Sequence, residues 1–434
     1  MSDSIPPQTL TDAPRTLPRS VWILSWISFF ADVSSEMVYP ILPLFMVQSL
    51  GASRTKLGLV EGAAVLLVAL MSAYAGIRSD RQGRGGGRVK WIRMGYGMPV
   101  WGKAIIALAS TWPMVAAGRL LDRFGKGLRG APRDALIADA VTPEQRGRAF
   151  GLHRTFDTAG ALLGVLLSAF LLWWLTGTPD QNAASQSSIH TPDWVYRVIL
   201  AVGAVLGLAA WGLSFLVPES RRESPLHATV IPENVSTMPV KLSAEYWSVL
   251  TALGLFSLAN SSDAFLMLRM GEFGYSSWQV VLLYAAYNIT YAGLSYPIGA
   301  LSDRWGRWRI ISAGWLIYAG VYAGLAWLPK SMAWGAWPLM GVYGVYMALT
   351  DGIGKALITD HAPPEARGQA MGIFYAVTGT TTLVASLLAG WLWDHWGSPA
   401  ALSLGSAAAL IALIALAITR RPAIPSTEEN RLPS

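Results

Sequence analysis

Three carboxylates lie inside long apolar stretches of the sequence, where a charge is costly unless it is paired or hydrated. Asp32 and Glu36 occupy the middle of the first stretch, and their i, i+4 spacing places both on one face of a helix. Asp263 lies at a comparable depth in a later stretch. A carboxylate in a partly dry cavity favours its neutral form and exchanges a proton as its exposure changes. We therefore expect these acids to couple to protons or bind a solute; the alternative is permanent pairing with Lys103 or Arg119.

Basic residues recur every three or four positions in the fourth apolar stretch, as Arg119, Arg123, Lys126, Arg129 and Arg133 around Asp122. Such a stripe must face a wet cavity or protein, because lipid cannot solvate it. The excess of cations suggests an anionic solute, although side chains reaching toward the helix end explain Arg129 and Arg133 equally well. The candidates for proton coupling or substrate binding are Asp32, Glu36, Lys103, Arg119, Asp122, Arg123 and Asp263.

A polar aromatic face follows in the eighth stretch, where Tyr284, Tyr287, Asn288 and Tyr291 share one side of a helix. These side chains either stack an organic solute or pack against a neighbouring helix. Asp351 and Lys355 have the spacing of an ion pair with a structural role. Asp157 is either a cavity residue or a partner for Arg154. The candidates for lining the cavity are Lys126, Asp157, Tyr287, Asn288 and Tyr291.

The elements that position these residues are predicted to be transmembrane helices. The chain has 434 residues, of which 53% are hydrophobic and 14% charged, more apolar side chain than a soluble domain could bury. A bilayer core takes about 20 helical residues to cross. The sequence therefore predicts an all-α integral membrane protein with twelve spans: 21–48, 55–77, 90–110, 112–133, 149–174, 195–217, 247–269, 277–301, 308–328, 335–358, 370–392 and 399–418.

Polar segments divide these spans into two sets of six. Residues 1–20 lack the apolar core of a signal peptide and are predicted to form a disordered tail. Residues 218–246 are polar and punctuated by proline, which is typical of a linker. The predicted organisation is thus a six-helix bundle at 21–217, the linker, a second bundle at 247–418 and a tail at 419–434.

The basic residues indicate orientation. If the N-terminus is cytoplasmic, the opposite side carries only Arg54, Lys56, Arg197, Arg269 and Lys330, and most other Lys and Arg outside the spans fall on the cytoplasmic side. The positive-inside rule thus predicts a multi-pass protein of the cell membrane with both termini in the cytoplasm. The net charge of +7 then reflects topology and not nucleic-acid binding. With no cysteine and five scattered histidines, we expect no metal site and no cofactor.

Two repeated motifs show that one six-helix unit occurs twice. The segment GIRSDRQGR at 76–84 matches GALSDRWGR at 299–307 in its glycine, aspartate and arginine positions. The segment RDALIADAVTPEQRGRAFG at 133–151 aligns without gaps to GKALITDHAPPEARGQAMG at 354–372. A weaker repeat makes Asp263 equivalent to Glu36. The two halves are therefore expected to be pseudo-symmetric bundles.

The repeated loop resembles the signature of the major facilitator superfamily, and DRFGKGLRGAPRDALIAD at 122–139 resembles a bacterial subgroup of it. The resemblance implies that the loops form a cytoplasmic gate that closes in the outward-open state; the alternative is a topology anchor of arginines. Glu144 and Glu365 are either gate partners or helix caps. The predicted gate comprises Gly76, Asp80, Arg81, Gly83, Arg84, Glu144, Arg146, Gly299, Asp303, Arg304, Gly306, Arg307, Glu365 and Arg367.

The resemblance further implies a secondary transporter that works by alternating access, with a solute site near the bilayer midplane. It also makes Arg119 the match for an arginine that takes part in proton transfer or substrate binding. Gly160 and Gly164 approach the spacing of an antiporter motif. The expected function is proton-coupled efflux of a small organic molecule by a monomer. The alternatives are proton-coupled uptake of an organic anion or nutrient, and a transport-inactive sensor; no catalytic set of His, Cys or Ser indicates an enzyme.

Overall fold

The computed structural model describes residues 16–82, 87–142, 145–177, 191–218, 241–363 and 366–419. Within these ranges the secondary structure is helical and contains no strand. Each of the twelve apolar stretches is helical, the seventh in two pieces, so the predicted all-α membrane architecture is confirmed.

The first half contains six helices. α1 spans Arg19–Ser49, and its regular α-helical part ends at Val38 before a π-helical turn at Phe45–Ser49. Pro40 and Pro43 explain this break, because proline lacks the N–H that would continue the helix. The other five helices are α2 (Arg54–Gln82), α3 (Gly87–Ala107), α4 (Trp112–Ala140), α5 (Arg146–Thr176) and α6 (Asp193–Ser214).

The second half begins with a discontinuous helix. α7 consists of a first piece, Ala244–Ser257, and a second piece, Ala264–Glu272, where the sequence predicted one continuous span. The hydroxyl of Tyr318 donates to the carbonyl of Ala259 at 2.7 Å, and the amide of Ser262 donates to Ser386 Oγ at 3.0 Å. Neighbouring side chains thus satisfy the backbone groups that unwinding frees, as an apolar environment requires.

The remaining five helices of the second half are α8 (Ser277–Trp305), α9 (Arg307–Trp327), α10 (Ala336–Asp360), α11 (Arg367–Trp396) and α12 (Ser398–Thr419). In the described part of the chain, seven helices are long and apolar enough to cross a membrane by themselves. The other five are α3, α4, α7, α8 and α10; the charged stripe of α4 lowers its hydropathy, and α7 is interrupted. These helices carry polar groups that neighbouring helices shield from lipid.

In each half an ion pair ties together the two equivalent helices. Arg88 of α3 pairs with Asp139 of α4, and Arg307 of α9 pairs with Asp360 of α10 at 3.0 Å. Asp139 and Asp360 occupy matching positions of the sequence repeat. The sequence repeat is therefore also a structural repeat.

Glycines bring the two halves into close contact along α2 and α11. A Cβ added to Gly58 would lie 2.1 Å from the carbonyl oxygen of Ser386, and one added to Gly390 would lie 2.4 Å from the carbonyl oxygen of Arg54. These separations are too short for any side chain, so glycine is required at both positions. α5 and α8 form the second contact between the halves.

The halves are joined at one face of the molecule and part toward the other. We call the face where α1 begins and α12 ends the terminal face, and the other the opposite face. At the opposite face, Asp394 accepts hydrogen bonds from the amides of Arg54 and Thr55, both at 2.9 Å, and Tyr196 bonds to Ser277 at 2.8 Å. Toward the terminal face, a Cβ added to Gly147 or Gly368 would meet open space. The solute site expected between the halves would then open at the terminal face, and we call this predicted space the cleft.

Candidate functional site

The two acids of α1 are partly exposed and point to different partners. Glu36 accepts a hydrogen bond from the hydroxyl of Tyr284 at 3.1 Å, which links α1 of the first half to α8 of the second. Asp32 lies toward α5. Among the described residues, neither carboxylate has a cation within ion-pair distance. Lys103 and Arg119, the partners expected if these acids were structural, are engaged elsewhere.

The carboxyl group of Asp32 lies within hydrogen-bonding reach of the carboxyl group of Asp157 on α5. Asp157 also accepts from the hydroxyl of Ser28 at 2.5 Å and from Arg154 at 3.3 Å. Two carboxyl groups can share a hydrogen bond only when one of them is protonated, because an ionised carboxylate is an acceptor alone. Asp32 and Asp157 are therefore two neighbouring acids at membrane depth, one on α1 and one on α5.

Two glycines of α5 make this approach of α1 and α5 possible. A Cβ at Gly160 would lie 2.4 Å from the carbonyl oxygen of Phe29, and one at Gly164 would lie 2.4 Å from that of Val33. The backbones are therefore in direct contact at these positions. Gly160 and Gly164, whose spacing resembles an antiporter motif, thus allow α5 to place Asp157 close to Asp32.

Arg119 forms a bidentate ion pair with Glu61 of α2, with two N···O distances of 2.8 Å. Both side chains are 3% exposed. Bidentate arginine–carboxylate pairs are among the strongest ion pairs found in proteins. Glu61 was missed in the sequence analysis, although it is a lone acid within an apolar stretch and the rule that selected Asp32 applies to it equally.

The carboxylate of Asp122 on α4 is surrounded by three cations. Its carboxylate lies 2.8 Å from Arg123, 3.6 Å from Lys103 and 3.7 Å from Arg119. Arg129 is also buried and lies over the ring of Tyr96 at 4.3 Å. The cationic stripe thus faces protein along much of its length, and its charges are largely balanced within the first half.

Lys126 differs from the other cations of the stripe. It is partly exposed and interacts electrostatically with Asp32 and Glu36. In the part of the chain that the structure describes, no carboxylate lies within ion-pair distance of its ammonium group. Lys126 is therefore available to a ligand in the cleft.

The break in α7 places Asp263 at the start of its second piece. Asp263 accepts a hydrogen bond from the hydroxyl of Tyr343 on α10 at 2.6 Å, and Tyr287 lies within hydrogen-bonding reach. A row of tyrosine rings, of which Tyr284, Tyr287 and Tyr343 are buried in the core, runs between Glu36 and Asp263. Successive centroids are 5.6 Å apart for Tyr39 and Tyr284, 5.3 Å for Tyr284 and Tyr287, and 5.2 Å for Tyr287 and Tyr343.

The other predicted cavity residues of the second half are held by their own neighbours. The side-chain amide of Asn288 donates to the carbonyl of Tyr284 at 2.9 Å, and the hydroxyl of Tyr291 donates to Asp351 at 2.9 Å. Lys355 pairs with Asp351 at 2.7 Å, as their spacing suggested. Asn288 is partly exposed, whereas Tyr287 is buried among the other rings.

The structure describes only part of the predicted gate. Gly299 has nothing within 4 Å of an added Cβ, and Asp303 lies 3.8 Å from Arg307 of its own half. Gly306 ends α8 with a φ of 87°, a backbone conformation that favours glycine. Arg146, Arg304 and Arg367 are exposed, and Gly76 is in ordinary contact with Ala131 at 3.5 Å. The side chains of Asp80 and Arg81, and the whole of Gly83, Arg84, Glu144 and Glu365, lie outside the described residues.

A separate crevice of about 240 Å³ lies at the terminal ends of α1, α4 and α6, lined by Ser20, Asp139 and Val217 among others. It includes none of the acids at membrane depth. The cleft between the halves is therefore the better candidate for the functional site.

Comparison with known proteins identifies the family. A family model described as Major Facilitator Superfamily matches residues 24–354 and 339–433. An uncharacterized MFS-type transporter of Methanocaldococcus jannaschii is 32% identical over 387 residues, covering 87% of this chain and 89% of the relative. The multidrug resistance protein MdtH of Escherichia coli is 24% identical over 362 residues, covering 82% of each.

Solved structures agree on the fold. The nucleoside transporter NupG has a TM-score of 0.72 at 12% identity, covering 93% of this chain and all of that one (100%). A bacterial homolog of the human lysosomal transporter Spinster, in an inward-facing and occupied conformation, has a TM-score of 0.67 at 16% identity, covering 92% and 94%. The twelve helices, the repeat and these matches together mean that the chain belongs to the major facilitator superfamily of transporters.

Proposed function

We propose that this transporter exports a small organic solute in exchange for protons. The observation that carries the proposal is the close approach of α1 and α5, whose backbones touch at Gly160 and Gly164 and so place Asp32 and Asp157, two acids at membrane depth, near each other. Asp32 lies at the cleft, where its access to water changes as the halves move. A proton bound here on one side of the membrane can then be released on the other.

The groups around the pair suit this role. Arg133 and Arg154 lie near Asp157, and Lys126 and Arg129 lie near Asp32. These cations favour release of the proton, whereas exclusion of water favours its uptake. Opening and closing of the cleft shifts this balance, and that shift couples proton transfer to the conformational change.

We further propose that the terminal face is cytoplasmic, because the basic residues of the loops concentrate there. The conformation described here is then inward-open. In the outward-open state, the gate loops around Gly76 and Gly299 come together and the hydrogen bonds of Asp394 to α2 break. The protein acts as a monomer in the cell membrane, as a transporter and not as an enzyme.

Export is supported by the similarity to a multidrug resistance protein. The second candidate is proton-coupled uptake of an organic anion, which the availability of Lys126 favours. Export by antiport and uptake by symport would use the same acids. They differ in whether protons move against the solute or with it.

The test uses proteoliposomes that contain a pH-sensitive dye and carry an imposed proton gradient. We expect a transported solute to trigger proton movement in the wild type, and we expect Asp32→Asn to abolish that signal. Glu245→Gln is the matched control, because Glu245 is an exposed acid at the terminal face outside the cleft. Solute movement with no proton signal in any variant would refute proton coupling, and proton movement in the same direction as the solute would replace antiport by symport.

A further inference from the structure

The break in α7 separates two helix ends within the second half. The first piece ends at Ser257, and its last carbonyls form the negative end of a helix dipole. Asp263 lies just before the second piece, but its side chain makes no capping hydrogen bond to that piece. Tyr343 donates a hydrogen bond to Asp263, and no cation lies within ion-pair distance of it among the described residues. The break therefore has a negative potential that no charged side chain balances.

Two buried oxygens near the break have no hydrogen-bond partner in the part of the chain that the structure describes. One is the side-chain oxygen of Asn260, a residue of the break itself. The other is the hydroxyl of Tyr322 on α9, whose side chain is 1% exposed. A buried oxygen without a partner is rare in proteins, because it has lost its hydration and gained nothing in return. Both oxygens are therefore available to a ligand.

Tyr322 lies directly against the break. A Cβ added to Gly405 of α12 would lie 2.9 Å from the ring of Tyr322 and 3.3 Å from the carbonyl oxygen of Ala259. The side chain of Ser261 lies near the hydroxyl of Tyr322, and the carboxylate of Asp263 is close enough to interact with it electrostatically. Because position 405 is a glycine, α12 and α9 can both approach the break, and oxygens of α7 and α9 converge there.

A small monovalent cation matches this set of groups. One carboxylate balances one positive charge, whereas a divalent ion would leave an uncompensated charge inside the membrane. A water molecule would satisfy the two oxygens but would not neutralise Asp263. Carboxylate, amide and hydroxyl oxygens are the ligands of hard cations, which require neither histidine nor cysteine. Unwound transmembrane helices bind sodium in this way in several transporter folds.

We propose that the break in α7 is a sodium site, with the carboxylate of Asp263, the side-chain oxygen of Asn260 and the hydroxyls of Ser261 and Tyr322 as its ligands. Asp263 is partly exposed, which gives an ion access to the site. The bound ion neutralises Asp263 and joins the two pieces of α7 to α9. The site belongs to the second half alone, so it is separate from the acids of α1 and α5 and goes beyond the proposed function.

The first test is thermal unfolding of the purified full-length protein in detergent. Sodium chloride replaces choline chloride step by step at constant ionic strength. We expect the midpoint of unfolding to rise by about 3 °C or more and to reach a plateau, because a ligand that binds only the folded state stabilises it. Binding of radioactive sodium to the immobilised protein gives the affinity directly, so a variant of lower stability is also tested.

Asp263→Asn and Tyr322→Phe test the ligands. Asp263→Asn is expected to weaken sodium binding about tenfold or more, because it removes the only charged ligand, and Tyr322→Phe about threefold or more. Tyr96→Phe is the matched control. Tyr96 is also a buried tyrosine whose hydroxyl has no partner among the described residues, but it lies on α3 of the first half.

The site is supported if sodium binding is weakened in Asp263→Asn and in Tyr322→Phe and is unchanged in Tyr96→Phe. If radioactive sodium does not bind and the two salts give the same unfolding midpoint, there is no sodium site in this protein. If sodium binds equally well to the wild type and to both ligand variants, the ion lies elsewhere and the assignment is wrong. The proton assay can be run in sodium-free buffer, so its result tests the proposed function independently.

Discussion

Glu61 and Arg119 show how a charged residue can be structural at membrane depth. Their bidentate contact satisfies both side chains, which are almost completely buried. Asp32, Glu36 and Asp263 lack such a partner among the described residues, and all three are partly exposed at the cleft. The same residue type therefore has two roles, and the difference lies in its partner and its access to water.

Removal of one member of the buried pair should be costly. We expect Glu61→Gln to destabilise the protein by about 3–5 kcal/mol, because it leaves the guanidinium of Arg119 buried without its counter-charge. Thermal unfolding in detergent measures the effect. The double variant with Glu61→Gln and Arg119→Gln is expected to recover part of the loss, since no buried charge then remains unpaired.

The matched control is Asp360→Asn, which removes an exposed ion pair with Arg307. This change is expected to alter stability by less than about 1 kcal/mol. Equal effects of Glu61→Gln and Asp360→Asn would mean that the buried pair does not hold α2 against α4.

At the scale of helices, hydropathy and spacing predicted the existence of all twelve spans, because burial in lipid requires a minimum apolar length. They did not predict the break in α7, whose freed backbone groups are satisfied by Tyr318 and Ser386 from other helices. Glu61 was predictable as a lone acid within an apolar stretch, but its pairing with Arg119 was not, because α4 lies far along the chain. The acids of the cleft were predictable from their depth; their partners, such as Asp157 for Asp32, depend on how the helices pack.

The N-terminus of α2 should control closure of the opposite face. Asp394 accepts hydrogen bonds from the amides of Arg54 and Thr55 and from the hydroxyl of Thr55. An N-terminal cap of this kind contributes about 1 kcal/mol, so Asp394→Ala is expected to shift the balance between the two conformations about fivefold toward opening at that face. Spin labels at Lys56→Cys and Lys330→Cys, both exposed, report the separation of the halves.

The natural chain contains no cysteine, so these labels need no background substitutions. Glu245→Gln serves as the control and should leave the distance distribution unchanged. An unaltered distribution in Asp394→Ala would show that the cap does not hold the opposite face closed.

Glycine contacts between α2 and α11 should have a related effect. Gly58→Ala places a Cβ about 2.1 Å from the carbonyl oxygen of Ser386, and the helices must separate to accept it. Overpacking of this kind typically costs about 1–3 kcal/mol. We expect the same spin labels to report a shift toward opening of the opposite face. Gly368→Ala is the control, because its Cβ meets open space in this conformation.

The whole molecule consists of two similar bundles joined at one face, and this arrangement predicts which positions water can reach. Ser295 lies one turn beyond Tyr291 on α8 and is partly exposed, whereas Ser386 is fully buried against Gly58. We expect Ser295→Cys to react with a membrane-impermeant maleimide in inside-out vesicles and to react far more slowly in right-side-out vesicles. Ser386→Cys should react from neither side while the halves are joined. Reaction of Ser295→Cys from the outside alone would reverse the proposed orientation, because the cleft at the terminal face would then face away from the cytoplasm.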